Sequence, residues 1–238
     1  MSEDKFNEAD YYEKDSSTQR KDGHKIIDIL APKKGMKILD LGCGTGYFSK
    51  TFADLVGPDG QVVGVDPDGE RIKVALRKYT ASNLEYIEGG IKKISDSDFD
   101  IVFANHVFHW IKDKDLVLKQ VSHCLKKGGR YALLGLSYST LFAYVSVNSE
   151  SQELKQRIKE RYFPILEEDF KPMLISNGFQ INHWEIGGNS WITDGLDAFI
   201  ISYMTHFGAI ERDHFQTLKN YDHVTLESSD IFAVMTKW

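Results

Sequence analysis

The chain is poor in the features that secreted, membrane-spanning or nucleic-acid-binding proteins need. It has two cysteines in 238 residues, Cys43 and Cys124, too few for the disulfide framework of a small extracellular domain. No clustered His/Cys spacing of metal-ligand type accompanies them, so no metal is expected. Only five prolines occur, and no Pro/Gly-rich linker divides the chain. No uncharged apolar run approaches the ~20 residues of a membrane helix. Residues 1–14 are polar and charged, without the apolar stretch of a secretory signal. No basic run appears, and 29 Lys+Arg against 35 Asp+Glu leave a net charge of -6, which argues against a binder of phosphate backbones. The expectation is one cytoplasmic domain spanning 1–238, with a small-molecule partner and neither nucleic acid nor membrane. Its oligomeric state is left open.

In the first half, short branched or aromatic runs alternate with segments of helical spacing. Lys37–Leu41, Gln61–Val65, Leu84–Glu88, Asp100–Ala104 and Arg130–Leu136 read as strands bounded by Gly, Asp or Asn. Between them Phe48, Phe52 and Leu55 share a helix face, as do Ile72, Ala75, Leu76 and Tyr79, and then Leu116, Val117, Gln120, Val121 and Leu125. A helix over Ser17–Leu30, stopped by Pro32, precedes the first strand. Lys127-Gly128-Gly129 is expected to close the helix before the fifth. Such repetition requires a mostly parallel sheet covered on both faces, a doubly wound α/β fold.

After Leu136 the rhythm changes. Glu150–Tyr162 and Glu167–Asn177 read as helices, and Phe179–Ile186 and Asp230–Lys237 as strands. The roughly forty residues between those strands are rich in aromatics and long for a plain connection. The expectation is a cofactor-binding half, 1–136, followed over 137–238 by the last two strands and an inserted helical cap. Tyr138, Phe142, Tyr144, Trp191, Phe199 and Tyr203 are candidates to line an apolar pocket there.

The strongest local signal is Asp40-Leu41-Gly42-Cys43-Gly44-Thr45-Gly46-Tyr47-Phe48: a strand, glycines at alternate positions, then a helix. Glycine allows the tight turn and lets a ligand lie against main-chain atoms. A second strand ends in Asp66, positioned to accept the two hydrogen bonds of a ribose diol. The dinucleotide fingerprint G-x-G-x-x-G fits poorly, because Tyr47 stands where its third glycine belongs. The D-L-G-C-G-T-G string instead resembles the first motif of class I S-adenosylmethionine-dependent methyltransferases. Asp66 matches their ribose-binding acid, Phe99–Asn105 their fourth strand, and Leu125–Arg130 the turn before their fifth.

The resemblance implies a Rossmann-like seven-stranded sheet with its last strand antiparallel, an accessory N-terminal helix, and S-adenosyl-L-methionine as methyl donor. It implies cofactor contacts from Asp40, Gly42, Cys43, Gly44, Gly46, Asp66, Pro67 and Asn105, with Tyr12 (or Tyr11) folding over the bound donor. Where the family often carries an acid after strand three, this chain has Gly90. The adenine is then served either by backbone around Gly90 and Ile91 or by Glu88.

Two segments narrow the acceptor. Tyr12 to Asp22 resembles the Y-x-x-x-S-x-x-Q-x-x-D opening of insect juvenile hormone acid methyltransferases, with the serine displaced by one. Phe108-His109-Trp110 resembles their L-H-W segment, which has counterparts in other small-acid methyltransferases. The resemblance implies that Gln19 and Trp110 hold a substrate carboxylate. The C-terminal cap is shorter than in that family, so its particular acid is not carried over. A carboxylate is already ionised at neutral pH and needs aiming by neutral donors more than it needs a base. The rival is N-methylation of an amine or imidazole, which requires an unprotonated nitrogen, and His106 and His109 stand where a base would serve it. Each histidine has the alternative of a structural hydrogen bond, and Trp110 that of core filler. Two other classes stay open, a dinucleotide oxidoreductase and a protein that keeps the fold without turnover.

Overall fold

The computed structural model describes residues 9, 13, 16–95, 97–139, 152–194 and 223–238. In chain order these form α1 (Ser17–Leu30), β1 (Lys37–Leu41), α2 (Tyr47–Val56), β2 (Gln61–Asp66), α3 (Gly69–Lys78), β3 (Leu84–Glu88), β4 (Phe99–Asn105), α4 (Lys114–Cys124), β5 (Leu125–Ser139), α5 (Gln152–Arg161), α6 (Glu167–Ser176), β6 (Phe179–Asp194) and β7 (His223–Lys237). Single 3-10 turns, Ile91–Lys93 and Phe108–Trp110, follow β3 and β4.

The strands make one seven-stranded sheet in the order β3-β2-β1-β4-β5-β7-β6. The five strands from β3 to β5 pair in parallel, and β7 runs antiparallel to both its neighbours. Alternation along each strand feeds two cores. Ile38, Val62, Ile101, Phe103, Ala132 and Leu134 face α1 and α2, against Ile26, Leu30, Phe52 and Val56. Leu39, Val63, Val65, Val102, Ala104, Tyr131 and Leu133 face the other side, against Leu118 and Val121 of α4 and Phe170 and Leu174 of α6. Burial on both faces is why these strands read as nearly continuous apolar runs.

Three expectations need correction. The helix before the fifth strand stops at Cys124, because Leu125 already pairs with Phe99; a four-residue excursion then includes Gly128 at φ +76°, and pairing resumes at Arg130 with Ile101. Strand β6 continues past Ile186 to Asp194, and β7 begins at His223 instead of Asp230. The antiparallel ladder runs through Gly187-Gly188 to Asp194 opposite His223. Residues 187–194 and 223–229 of the stretch assigned to the cap are therefore strand, while 195–222, with Phe199 and Tyr203, and Phe142 and Tyr144 lie outside the described residues. Among those described, no helix is long and apolar enough to cross a membrane.

Candidate functional site

Strand order reverses direction between β1 and β4, and in open α/β sheets the ligand crevice lies at the carboxyl ends of the strands flanking that point. Here those ends carry Gly42–Gly46 and Asn105–Trp110. The glycine loop is pinned to the end of β2: Gly42 and Cys43 donate their N–H groups to the Val65 carbonyl at 2.7 and 3.0 Å. Two glycines are dictated by space as well as by positive φ. A Cβ on Gly42 (φ +73°) would lie 2.3 Å from a Val107 methyl, and one on Gly46 (φ +91°) 2.4 Å from the Tyr86 hydroxyl.

Two buried carboxylates flank the loop. Asp66 accepts the Gly44 N–H on one oxygen and the Asp68 N–H on the other, both at 2.9 Å. Each oxygen keeps a further lone pair. Burial raises the Asp66 carboxyl above its ordinary range, against the pull of Arg71 and the two backbone donors. Asp40 accepts the Ser49 hydroxyl at 2.6 Å. Its carboxyl is pushed up to about 7, first by burial and further by Asp66. Burial also drives the Cys43 thiol well above its usual value, which keeps it an inert thiol. Past β3, Gly89 donates to the Asp66 carbonyl at 2.9 Å. The Glu88 carboxyl lies against Gly69, and a Cβ on Gly90 would meet nothing within 4 Å. Ile91 is buried, and Pro67 is exposed at the end of β2.

The N-terminal helix closes the second side. Asn105 donates its side-chain amide to the Gln19 carbonyl at 2.9 Å, while its Oδ1 is buried and accepts from no described residue. One turn along the helix from Gln19, Asp22 stands with Oδ2 3.5 Å from His106 Nε2. His106 itself sits in the left-handed region at φ +57°, its N–H donated to the Leu134 carbonyl at 2.8 Å. His109 is different: it is buried, its Nδ1 accepts the Leu136 N–H at 3.1 Å, and its carbonyl accepts the Phe163 N–H. The Trp110 ring lies 4.7 Å from the His109 ring and 6.1 Å from that of Tyr162, centroid to centroid. Lys114 ties this turn down by donating to the carbonyls of Ile111 and Phe163.

Of the residues expected from sequence, Asp40, Gly42, Cys43, Gly44, Gly46, Asp66 and Asn105 converge on the loop, and Gln19, His106 and Trp110 lie around the end of β4. His109 is drawn into packing behind them. Tyr11 and Tyr12 lie outside the described residues.

Sequence reasoning missed a polar group above the loop. Glu13 accepts the Thr45 hydroxyl on one oxygen and the Tyr79 hydroxyl on the other, both at 2.5 Å. Arg20 Nη2 lies 2.9 Å from the second oxygen. Asp22, the last residue of the Tyr12–Asp22 segment, was given no role, although its i+3 spacing from Gln19 sets both on one helix face.

A family described as a methyltransferase domain matches residues 32–178. The chain is 27% identical over 183 residues to the ubiquinone/menaquinone biosynthesis C-methyltransferase UbiE of Pasteurella multocida, covering 67% of this chain and 68% of that protein. It is 28% identical over 159 residues to the malonyl-[acyl-carrier protein] O-methyltransferase of Acetivibrio thermocellus, 66% of this chain and 56% of that one. Many of the other curated relatives are spanned over about half their length. Among solved structures, phosphoethanolamine N-methyltransferase 2 of Haemonchus contortus with S-adenosyl-L-methionine shares the fold. Its TM-score is 0.58 at 17% identity, over all of this chain and 61% of that one.

Proposed function

The chain belongs to the methyltransferase domain family and is an S-adenosylmethionine-dependent enzyme, and from that premise we propose that it methylates a small organic molecule in the cytoplasm, at a carboxylate oxygen. The observation that carries this reading is the edge at the end of β4, where Asn105 binds the Gln19 carbonyl and Trp110 occupies the turn beyond His106.

The residues present fit the donor. The glycine cradle has no room for side chains at Gly42 and Gly46, Asp66 has free lone pairs for a sugar diol, Asn105 Oδ1 is a spare buried acceptor, and Gly90 borders open space beside Ile91. When bound, the donor supplies an electrophilic methyl group on a positively charged sulfur. The chain's part is to hold the acceptor oxygen in line and to exclude water. Such positioning is worth about 7–11 kcal/mol of barrier. The Gln19 amide and the Trp110 indole N–H are neutral donors that aim a carboxylate without quenching it. Arg20, the cation next along α1, is already engaged by Glu13. Kinship with an O-methyltransferase, and the resemblance to small-acid methyltransferases, support the same acceptor class.

A second reading, an acceptor atom that must lose a proton such as an amine or imidazole nitrogen, is favoured by one observation. Asp22 stands 3.5 Å from His106 Nε2, an arrangement that would orient the ring as a base.

The test is a screen of pooled acids and amines with the donor, read by the mass gain of one methyl group. Products labile to mild alkali are expected, as methyl esters are. Alkali-stable products formed only from amines would replace the first reading by the second. Gln19→Ala and Trp110→Phe should lower turnover and leave donor affinity alone. Loss of donor affinity in both would remove them from the acceptor site. A rate–pH profile unchanged in His106→Asn would dispose of the base.

A further inference from the structure

Glu13 is only 6% exposed and is surrounded by donors. Thr45 and Tyr79 give it their hydroxyl protons at 2.5 Å, the Arg20 guanidinium lies 2.9 Å from Oε1, and the Lys78 ammonium 3.9 Å from the same oxygen. Arg20 is further aligned by lying 4.3 Å over the Tyr47 ring and by donating to the Glu13 carbonyl at 2.7 Å. Thr45 belongs to the glycine loop, Tyr79 and Lys78 to the end of α3, and Arg20 to α1. The cage is thus built by the sheet-bearing body, and its anion is supplied from the segment before α1. The buried charge is that of Glu13, and its partners Arg20 and Lys78 reach it from the partly exposed rim of the cage, 28% and 38% exposed, so solvent can hold the two cations when the carboxylate leaves.

The cage begins one residue from Gly44, whose N–H holds Asp66, the candidate partner of the donor's sugar. The other end of the donor is an amino acid and carries a carboxylate. We propose that Glu13 is the protein's own stand-in for that carboxylate: it fills the cage of Arg20, Thr45, Tyr79 and Lys78 until the donor's methionine end displaces it. The inference rests on the donor lying at the glycine loop. Glu13 is then a gate on the donor site, selecting ligands that bring a carboxylate of their own.

Calorimetry on the full chain with two probes tests this. S-adenosylhomocysteine has the amino-acid end, and 5′-methylthioadenosine lacks it. In Glu13→Gln the homocysteine ligand should bind about tenfold more tightly, the factor expected if the cage is vacant one-tenth of the time. The thioadenosine should change by less than about twofold. Weaker homocysteine binding would make Glu13 a ligand rather than a competitor. Equal shifts for both probes, or none, would also overturn the proposal. Should the Gln variant not fold, Glu13→Asp keeps the charge a methylene short of the cage, and the same selective tightening is expected of it. If the unaltered chain binds both probes and only the selectivity fails, the donor site stands without the gate. If it binds neither, both fall.

Discussion

Replacing Asp40 by Asn is expected to flatten the dependence of stability on pH. Asp40 is buried beneath the glycine loop and accepts the Ser49 hydroxyl at 2.6 Å. Burial and the neighbouring Asp66 lift its carboxyl from 3.8 to about 7, the Ser49 bond opposing them. In the unfolded chain the same carboxyl ionises near pH ~4. Between those values the folded protein holds a proton that the unfolded chain has released. Because the folded value is the higher one, the stability it brings is complete below pH ~4 and is lost as pH rises through about 7. At about 1.4 kcal/mol per unit, moving from pH 5 to pH 8 crosses about two of the roughly three units and costs about 2–3 kcal/mol. Asn keeps an acceptor for Ser49 and never ionises. Any fixed cost of its amide is the same at every pH and cancels. Urea unfolding of both proteins at pH 5, 6, 7 and 8 measures the difference. The wild type should lose stability relative to the variant as pH rises, most steeply between pH 5 and 6, and the loss should level off above about 7. Parallel curves would refute the assignment of a proton to Asp40 in the folded state.

Removing the Asp66 carboxylate, as in Asp66→Ala, takes away a charged acceptor from the sugar of the donor. Hydrogen bonds to charged groups contribute about 1.5–3 kcal/mol, so titration with S-adenosylhomocysteine should show affinity reduced about tenfold or more. An unchanged constant would reject the sugar assignment. Gly46→Ala confronts the added methyl with the Tyr86 hydroxyl and Ala75 Cβ at a φ of +91°. Strain of about 1–3 kcal/mol is expected, readable as a lowered melting temperature with donor affinity falling alongside. A variant as stable as the wild type would mean that the loop does not need this backbone conformation.

The conformation of the proposed donor loop was legible because it is written in the backbone. Gly42, Gly44 and Gly46 all take positive φ, and a strand ending in Asp66 fixes a carboxylate beside them, so residue type and spacing carry the information. The proposed acceptor half depends on side chains from three distant segments. Nothing in the spacing of Phe108-His109-Trp110 distinguishes a buried His109, bonded to the Leu136 N–H, from an exposed base. The partners of Asp22 and Glu13 were invisible for the same reason: His106 in one case and Thr45 and Tyr79 in the other come together only through tertiary packing. The β6–β7 ladder went unread beyond Ile186, where Gly187-Gly188 interrupts the side-chain pattern, while an antiparallel neighbour carries the glycines through the strand. Val224 and Leu226, alternating with polar residues, were the period-2 evidence for its extent.

The docking of α1 divides labour along the chain. The matched methyltransferase region starts at residue 32, yet Gln19, Arg20 and Asp22 come from before it and are clasped to the end of β4 through Asn105. A piece cut at that boundary would keep Gly42–Gly46 and Asp66 but lose the residues proposed to wall the acceptor, and would lay bare the apolar surface that Ile26 and Leu30 cover. Substitutions in a single leading helix therefore reach both the proposed acceptor wall, through Gln19 and Asp22, and the Glu13 cage, through Arg20, while the backbone of Gly42–Gly46 stays as it is.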